Sequence, residues 1–286
     1  MLTMAATTSP YPTTVKREEN GDIVFTITLP KAEVEKVRKE EVAKMAQAAK
    51  LPGFRAGKAP KEMIETKLDP EKVREATLKQ LLPTAYVMAV NEQKVKPIIN
   101  PRINVTKLDD EGDWEFEAIT CETPEVVLGD YKKDVQAVTA AGKILKPGQT
   151  EVQKPKLEDI VKVLLEKVTV KVPQVLIEGE AERLLSQLLG EIKKLGLSLD
   201  QYMASTGKTI ETLKAEYEGK ARGDIALEFI LQAIANDAKL EVGQKEIDEA
   251  LATAKSPEEK EAIQKNIYMV TTILRQQKTL DFLANL

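Results

Sequence analysis

The 286-residue chain has no histidine, a single cysteine (Cys121), and aromatic rings at only 4% of its positions. Without histidine, Ser-His and Cys-His nucleophilic pairs are excluded, together with His-ligated zinc and the commonest general base. One cysteine can form neither an internal disulfide nor a cysteine-rich metal site, which fits a reducing compartment. The shortage of rings leaves Leu, Ile, Val, Ala and Met to build the cores, as is usual where helices pack. No stretch approaches the roughly 18 to 20 apolar residues that span a membrane. Met1 to Pro12 lacks the basic start and apolar run of a signal peptide. These absences predict a soluble, cytoplasmic protein with no cofactor, no metal and no membrane partner, and they argue against an enzyme.

What is present is charge, at 31% of residues, and hydrophobic side chains at 42%, enough for two ordinary domains. The formal net charge of −4 means that any contact with nucleic acid must come from a local basic cluster.

The order of elements predicts an α+β domain followed by an all-α one, in an elongated two-domain molecule. Residues 1–13 read as a flexible arm. Val15 to Glu19 and Asp22 to Leu29 read as strands joined at Asn20-Gly21, with Ile23, Phe25, Ile27 and Leu29 alternating as a half-buried strand requires. Val34, Val37, Val42 and Met45 then mark a helix running to about Ala49. Pro60 suits the start of a short helix through Lys67. Asp69-Pro70 caps a longer one, which Pro83 should kink or break. Strand signals over Ile98 to Leu108 and Trp114 to Cys121 close an α+β domain at 14–130, an antiparallel sheet with helices. Residues 131–156, punctuated by Gly142, Pro147-Gly148 and Pro155, read as a linker. The helical domain over 157–286 follows, with a capping box at Ser198/Gln201, a long helix from about Thr209 to Asp237, and a last pair at Gln244 to Lys255 and from Pro257 nearly to the end.

Two Gly-Lys sites invite a nucleotide-binding reading and fail it. Gly53 and Gly57 stand too close together and Ala59 carries no hydroxyl for magnesium; before Gly207-Lys208-Thr209, Tyr202 stands where the first glycine belongs. The acids of Asp109 to Asp113 lack the spacing of a calcium loop. Cys121, in a predicted strand with no histidine to activate it, reads as a buried inert thiol.

One loop differs in composition. From Lys44 to Lys61 the charged residues are Lys44, Lys50, Arg55, Lys58 and Lys61, with no acid among them and Phe54 at the centre. A plain solvated connection between helices would have glycines for turning; it would not need a ring flanked by cations. That combination suits a contact site, where the ring is buried and arginine reaches phosphate or carboxylate. Polypeptide-contact residues are not legible, since exposure cannot be read from periodicity; the helices over Thr209 to Asp237 and Pro257 to Leu286 are the candidates.

Gly53-Phe54-Arg55-Ala56-Gly57-Lys58, set between two helices after a strand hairpin, resembles the ribosome-binding signature of the bacterial trigger factor family. The order of elements from Thr14 to about Asp130 is similar to that family's N-terminal domain. Val172-Pro173-Gln174-Val175-Leu176-Ile177-Glu178 resembles the opening of the second part of its helical domain. The resemblance implies that Gly53, Phe54, Arg55, Gly57 and Lys58, flanked by Lys44, Lys50 and Lys61, dock on the large ribosomal subunit against exit-site protein and ribosomal RNA. It implies an ATP-independent chaperone whose helical arms hold nascent or unfolded polypeptides. Two departures stand out. Ala56 occupies a position often basic in relatives, which lowers the charge at the contact. The FK506-binding-type prolyl isomerase domain usual between the two parts has only 131–156 to occupy, so no isomerase activity is expected; a natural short form and an engineered deletion both fit. The alternative function is a ribosome-independent holding chaperone or assembly factor, dimeric through its N-terminal domain.

Overall fold

The computed structural model describes residues 9–48, 68–109, 111–142, 157–252 and 256–286. The chain divides into two compact units between Thr123 and Pro124.

In the first unit, β1 (Thr13–Arg17), β2 (Ile23–Leu29), β3 (Arg102–Lys107) and β4 (Trp114–Thr120) form one antiparallel sheet in the order β1-β2-β4-β3. The β1–β2 turn is tied by Glu18 N–H donating to the Asp22 carbonyl at 2.8 Å, and Gly21 supplies the φ of 91° that the turn needs. One face of β2 and β4, led by Phe25, Ile27, Leu29 and Phe116, is fully buried under α1 (Lys31–Ala48) and α2 (Pro70–Gln93). Phe25 meets Tyr86 of α2 edge to face, ring centroids 5.8 Å apart. Tyr11 is buried in the same core, and Thr28 N–H donates to the Pro12 carbonyl, so the expected arm is already structured from Tyr11 onward.

Asp69 caps α2, accepting from Glu71 N–H at 3.0 Å, with Pro70 at the first position. Pro83 does not break this helix, which runs unbroken through it. Leu81 before it and Ala85, Tyr86 and Ala89 after it pack into one core, and that burial outweighs the missing backbone donor. The Thr84 hydroxyl donates to the Gln80 carbonyl of its own helix at 3.2 Å. The short helix expected over Pro60 to Lys67 lies outside the described residues.

The second unit begins earlier than expected. Val126–Val127 (β5) pairs antiparallel with Thr169–Val170 (β6), a short ladder in what was expected to be an all-α domain. The expected linker starts with a helix, α3 (Tyr131–Gly142), whose Tyr131 and Val135 are buried against α4 (Leu157–Lys167) and the final helix. Among its described side chains those two and Thr139 are the fully buried ones, a narrow stripe easily missed in the sequence. Tyr131 also donates from its hydroxyl to Asp237 at 2.8 Å, and Lys132 reaches the same carboxylate at 2.9 Å while lying over the Tyr131 ring. These donors hold the Asp237 carboxyl below its usual range, and burial followed by that carboxylate raises the Tyr131 phenol.

Then come α5 (Gln174–Lys194), α6 (Leu199–Thr206) and α7 (Ile210–Asp237). Leu188 and Ile192 of α5 meet Leu213 of α7, while Ile177 and Ala181 meet Ala221 and Ala226, so α5 and α7 run antiparallel. The predicted capping box is formed: Gln201 N–H donates to Ser198 Oγ, and the Gln201 amide oxygen accepts from Ser198 N–H at 2.9 Å. The helix expected from Pro257 nearly to the end is two, α9 (Pro257–Lys265) and α10 (Ile267–Ala284), after α8 (Gln244–Ala252). Neither glycine nor proline announces the break at Asn266.

Candidate functional site

Of the loop singled out in the sequence, Gly53, Phe54, Arg55, Gly57, Lys58, Lys50 and Lys61 lie outside the described residues. Lys44 is described: its ammonium sits 2.6 Å from the Glu41 carboxylate and 3.2 Å from the Gln80 amide oxygen. It therefore ties α1 to α2, the two helices that bracket the loop in sequence. Beside these ends runs an open groove of about 600 Å³ whose lining includes Arg38, Lys39, Val42, Ala46, Pro70 and Val73. Glu35 lines it as well, so its walls mix apolar side chains with charges of both signs.

The second unit carries two concentrations of uncovered apolar side chains. At the α5–α6–α7 end, Leu189, Leu195, Leu197 and Ile210 are exposed, Leu195 by 75%, beside the small core of Leu188, Ile192 and Leu213. At the start of α10, Ile267, Tyr268, Met269 and Ile273 are exposed, Tyr268 by 85% and Met269 by 62%. Tyr268 also lines a groove of about 280 Å³ between α7 and α10, with Leu231, Gln232, Thr271, Thr272 and Gln276. Thr271 and Thr272 donate their hydroxyls to the Ile267 and Tyr268 carbonyls of their own helix, at 2.8 and 3.0 Å. With those hydroxyls satisfied, the groove gains methyl groups rather than unmet donors. Such clusters on an otherwise well-packed unit mark contact surface.

The sequence held a signal for the α10 surface. Ile267, Tyr268, Met269, Val270, Ile273 and Leu274 cover more of the helix than one core-facing stripe can bury, so part must face outward. The α5–α7 end gave no comparable signal, because its leucines read as a packing stripe.

A polar clamp holds the connection from α7 to α8 against α10. Arg275 donates to the Leu240 carbonyl through Nε and to Asn236 Oδ1 through Nη2, both at 2.8 Å. Lys278 donates to the Glu241 carbonyl at 2.8 Å and to the Glu246 carboxylate. Lys278 and then Gly243 N–H hold the Glu246 carboxyl below its usual range.

The rejected Gly-Lys-Thr site has structural duties. Gly207 ends α6 with φ 66°, Lys208 pairs with Glu216, and Thr209 caps α7. Glu216 in turn raises the Lys208 ammonium above its ordinary value. Cys121 is buried, and burial, reinforced by Asp22, pushes its thiol up to about 11, far from a reactive thiolate. Among the described residues no group of His, Cys, Asp and Glu could hold a metal ion, and no helix is long and apolar enough to cross a membrane.

Known proteins resemble this chain along its length. The family model described as bacterial trigger factor protein matches residues 12–161, and that described as the trigger factor C-terminus matches 143–285. The two matches overlap over 143–161, so the family's terminal parts adjoin here. The trigger factors of Staphylococcus epidermidis (strain RP62A) and Staphylococcus aureus (strain Newman) are 35% and 34% identical over 119 residues, 42% of this chain. That alignment spans 28% of the length of those relatives. A solved structure described as "Promiscuous Substrate Recognition in Folding and Assembly Activities of the Trigger Factor Chaperone" matches with a TM-score of 0.62 at 14% identity, over 95% of this chain and 99% of that one. That likeness is one of fold. The matched models run from residue 12 to residue 285, the first alone covering more than half of the sequence, and the chain belongs to the bacterial trigger factor family.

Proposed function

We propose that this protein is an ATP-independent chaperone that docks at the ribosomal exit site through Gly53, Phe54, Arg55, Gly57 and Lys58 and holds nascent or unfolded polypeptides on its helical unit. One observation carries the holding role: Tyr268, Met269 and Ile273 stand uncovered at the start of α10, beside a groove whose threonine hydroxyls are already satisfied. An unfolded chain offers the apolar side chains such a surface can bury at about 25 cal/mol per Å², without a directional fit. Family membership supports the docking role, together with the basic sequence from Lys44 to Lys61. The structural duties of Gly207, Lys208 and Thr209 support independence from ATP. With the two family parts adjoining, turnover of proline peptides is expected at background.

Two substitution sets test the two halves. Phe54→Ala/Arg55→Ala/Lys58→Ala should abolish co-sedimentation with purified ribosomes, and unaltered pelleting would refute docking. Wild-type affinity should fall steeply with salt, as phosphate contacts require. Met269→Ser/Ile273→Ser should weaken suppression of aggregation of an unfolded protein by about tenfold, which corresponds to about 1.4 kcal/mol for two partly buried aliphatic contacts. Suppression without any ribosome affinity would favour the free, dimeric holding chaperone instead.

A further inference from the structure

The first unit has an uncovered strand edge that neither the docking loop nor the helical surfaces explain. Among the described residues β3 pairs only with β4, and all six of its residues are exposed. Ile103 stands opposite Ala118 and Val105 opposite Phe116. Paired residues share a face, so Ile103 and Val105 lie on the side of the sheet that carries the core. Ala118 and Phe116 are buried there, whereas Ile103 and Val105 remain 36% and 38% exposed. Ile98 and Leu108, on either side of the strand, are exposed as well. The apolar layer thus continues one strand past the point where helices cover it. Along the outer side, every second residue of β3 directs its backbone N–H and C=O away from β4, with no strand among the described residues to receive them.

The edge is bounded at both ends. Pro101 has no N–H to offer, and a bulge between Val105 and Lys107 ends the regular register. The Thr106 hydroxyl donates to Glu115 at 3.0 Å, pinning that bulge. The open stretch is therefore Arg102 to Val105, long enough to recruit an extended segment and too short to template a growing sheet.

We propose that the outer edge of β3 captures extended segments of other polypeptides by strand addition, taking sequences with apolar residues at alternate positions. Their apolar side chains extend the layer of Phe116, Ala118, Ile103 and Val105. Arg102 and Lys107 lie on the opposite face, because the bulge returns Lys107 to the side of Glu115, and Lys107 already pairs there with Asp109 at 3.8 Å. A second copy of β3 fits poorly. Antiparallel pairing of Ile103 with the other copy's Val105 brings Arg102 beside the other copy's Lys107 at both ends, and like charges across strands destabilise. Pairing Ile103 with its own counterpart sets Pro101 opposite Val105, where no N–H is available. The inference rests on the reading of this protein as a holder of unfolded chains, and gives its first unit a contact of its own.

The test uses the full chain and reduced, carboxymethylated α-lactalbumin, a permanently unfolded probe, with amide exchange followed by NMR. Saturating probe should slow exchange of outward amides within Arg102 to Val105 by about tenfold, the order of protection a few ladder bonds give. Ile103→Lys/Val105→Lys should abolish that protection; both side chains are over a third exposed, and an unchanged thermal midpoint verifies the fold. Protection confined to α10 or the α5–α7 end, with Arg102 to Val105 unaltered, overturns strand capture and leaves the chaperone reading standing. Absence of binding at every site removes both. Protection that rises with protein concentration and without probe assigns the edge to a second copy and overturns the occupant proposed.

Discussion

Lys278 on α10 grips Glu246 on α8 with its ammonium 2.8 Å from one carboxylate oxygen and 3.0 Å from the other. Glu246 itself accepts from Gly243 N–H at 2.8 Å. One side chain thus closes the start of α8 and fastens it to the last helix. Because the folded state depresses the Glu246 carboxyl, its contribution to stability is present above the ordinary carboxylate range and is lost as pH falls through the depressed value. Glu122, held down by Lys96 N–H and Arg17, acts in the same direction.

Lys278→Met should therefore lower stability at neutral pH and flatten the decline of stability with acid. Urea melts at a series of pH values between neutrality and about pH 3, below the ordinary carboxylate range, measure this. An acid limb as steep as that of the wild type would exclude the clamp.

Pro83→Ala should stabilise the first unit. The proline is exposed, so its removal leaves no cavity, and alanine restores a helical N–H within α2. A gain of roughly 1 to 3 kcal/mol is expected from the known cost of proline in helix interiors, read as a higher urea midpoint with unaltered slope.

Cys121 should resist alkylation. With the thiol pushed up to about 11 by burial, iodoacetamide at pH 8 finds on the order of one thiolate in a thousand. Native protein should remain unmodified over hours while urea-unfolded protein reacts to completion. Rapid labelling of the native form would show that the strand end at Thr120 opens.

The sheet and caps were legible in sequence because each rests on a local rule. Ile23, Phe25, Ile27 and Leu29 alternate as they do in the structure, and Asp69-Pro70 and Ser198/Gln201 form the caps their chemistry predicts. What escaped depends on distant partners. Pro83 was overruled by a core on both sides of it, and α3 is held by Tyr131 and Val135 packing on residues far along the chain. The break at Asn266 lacks a breaker residue altogether. At the candidate sites, the loop from Gly53 to Lys58 stands out by composition alone and lies outside the described residues. The apolar excess at the start of α10 signals that part of it faces outward, but which residues stand bare there, like the bare edge of β3, depends on what fails to cover them.

The pairing of α5 with α7 is secured by two clusters: Ile177, Ala181, Ala221 and Ala226 belong to the first, and Leu188, Ile192 and Leu213 to the second. Tyr217 packs against both, so the second core, built from few side chains, is the thinner end of one continuous hairpin and the first to open. In the holding role proposed above, that end would loosen and spread its leucines over a guest, while the first core keeps the base of the hairpin registered. Adaptability is then set by the weakest cluster, and it is obtained without unfolding the unit that bears it.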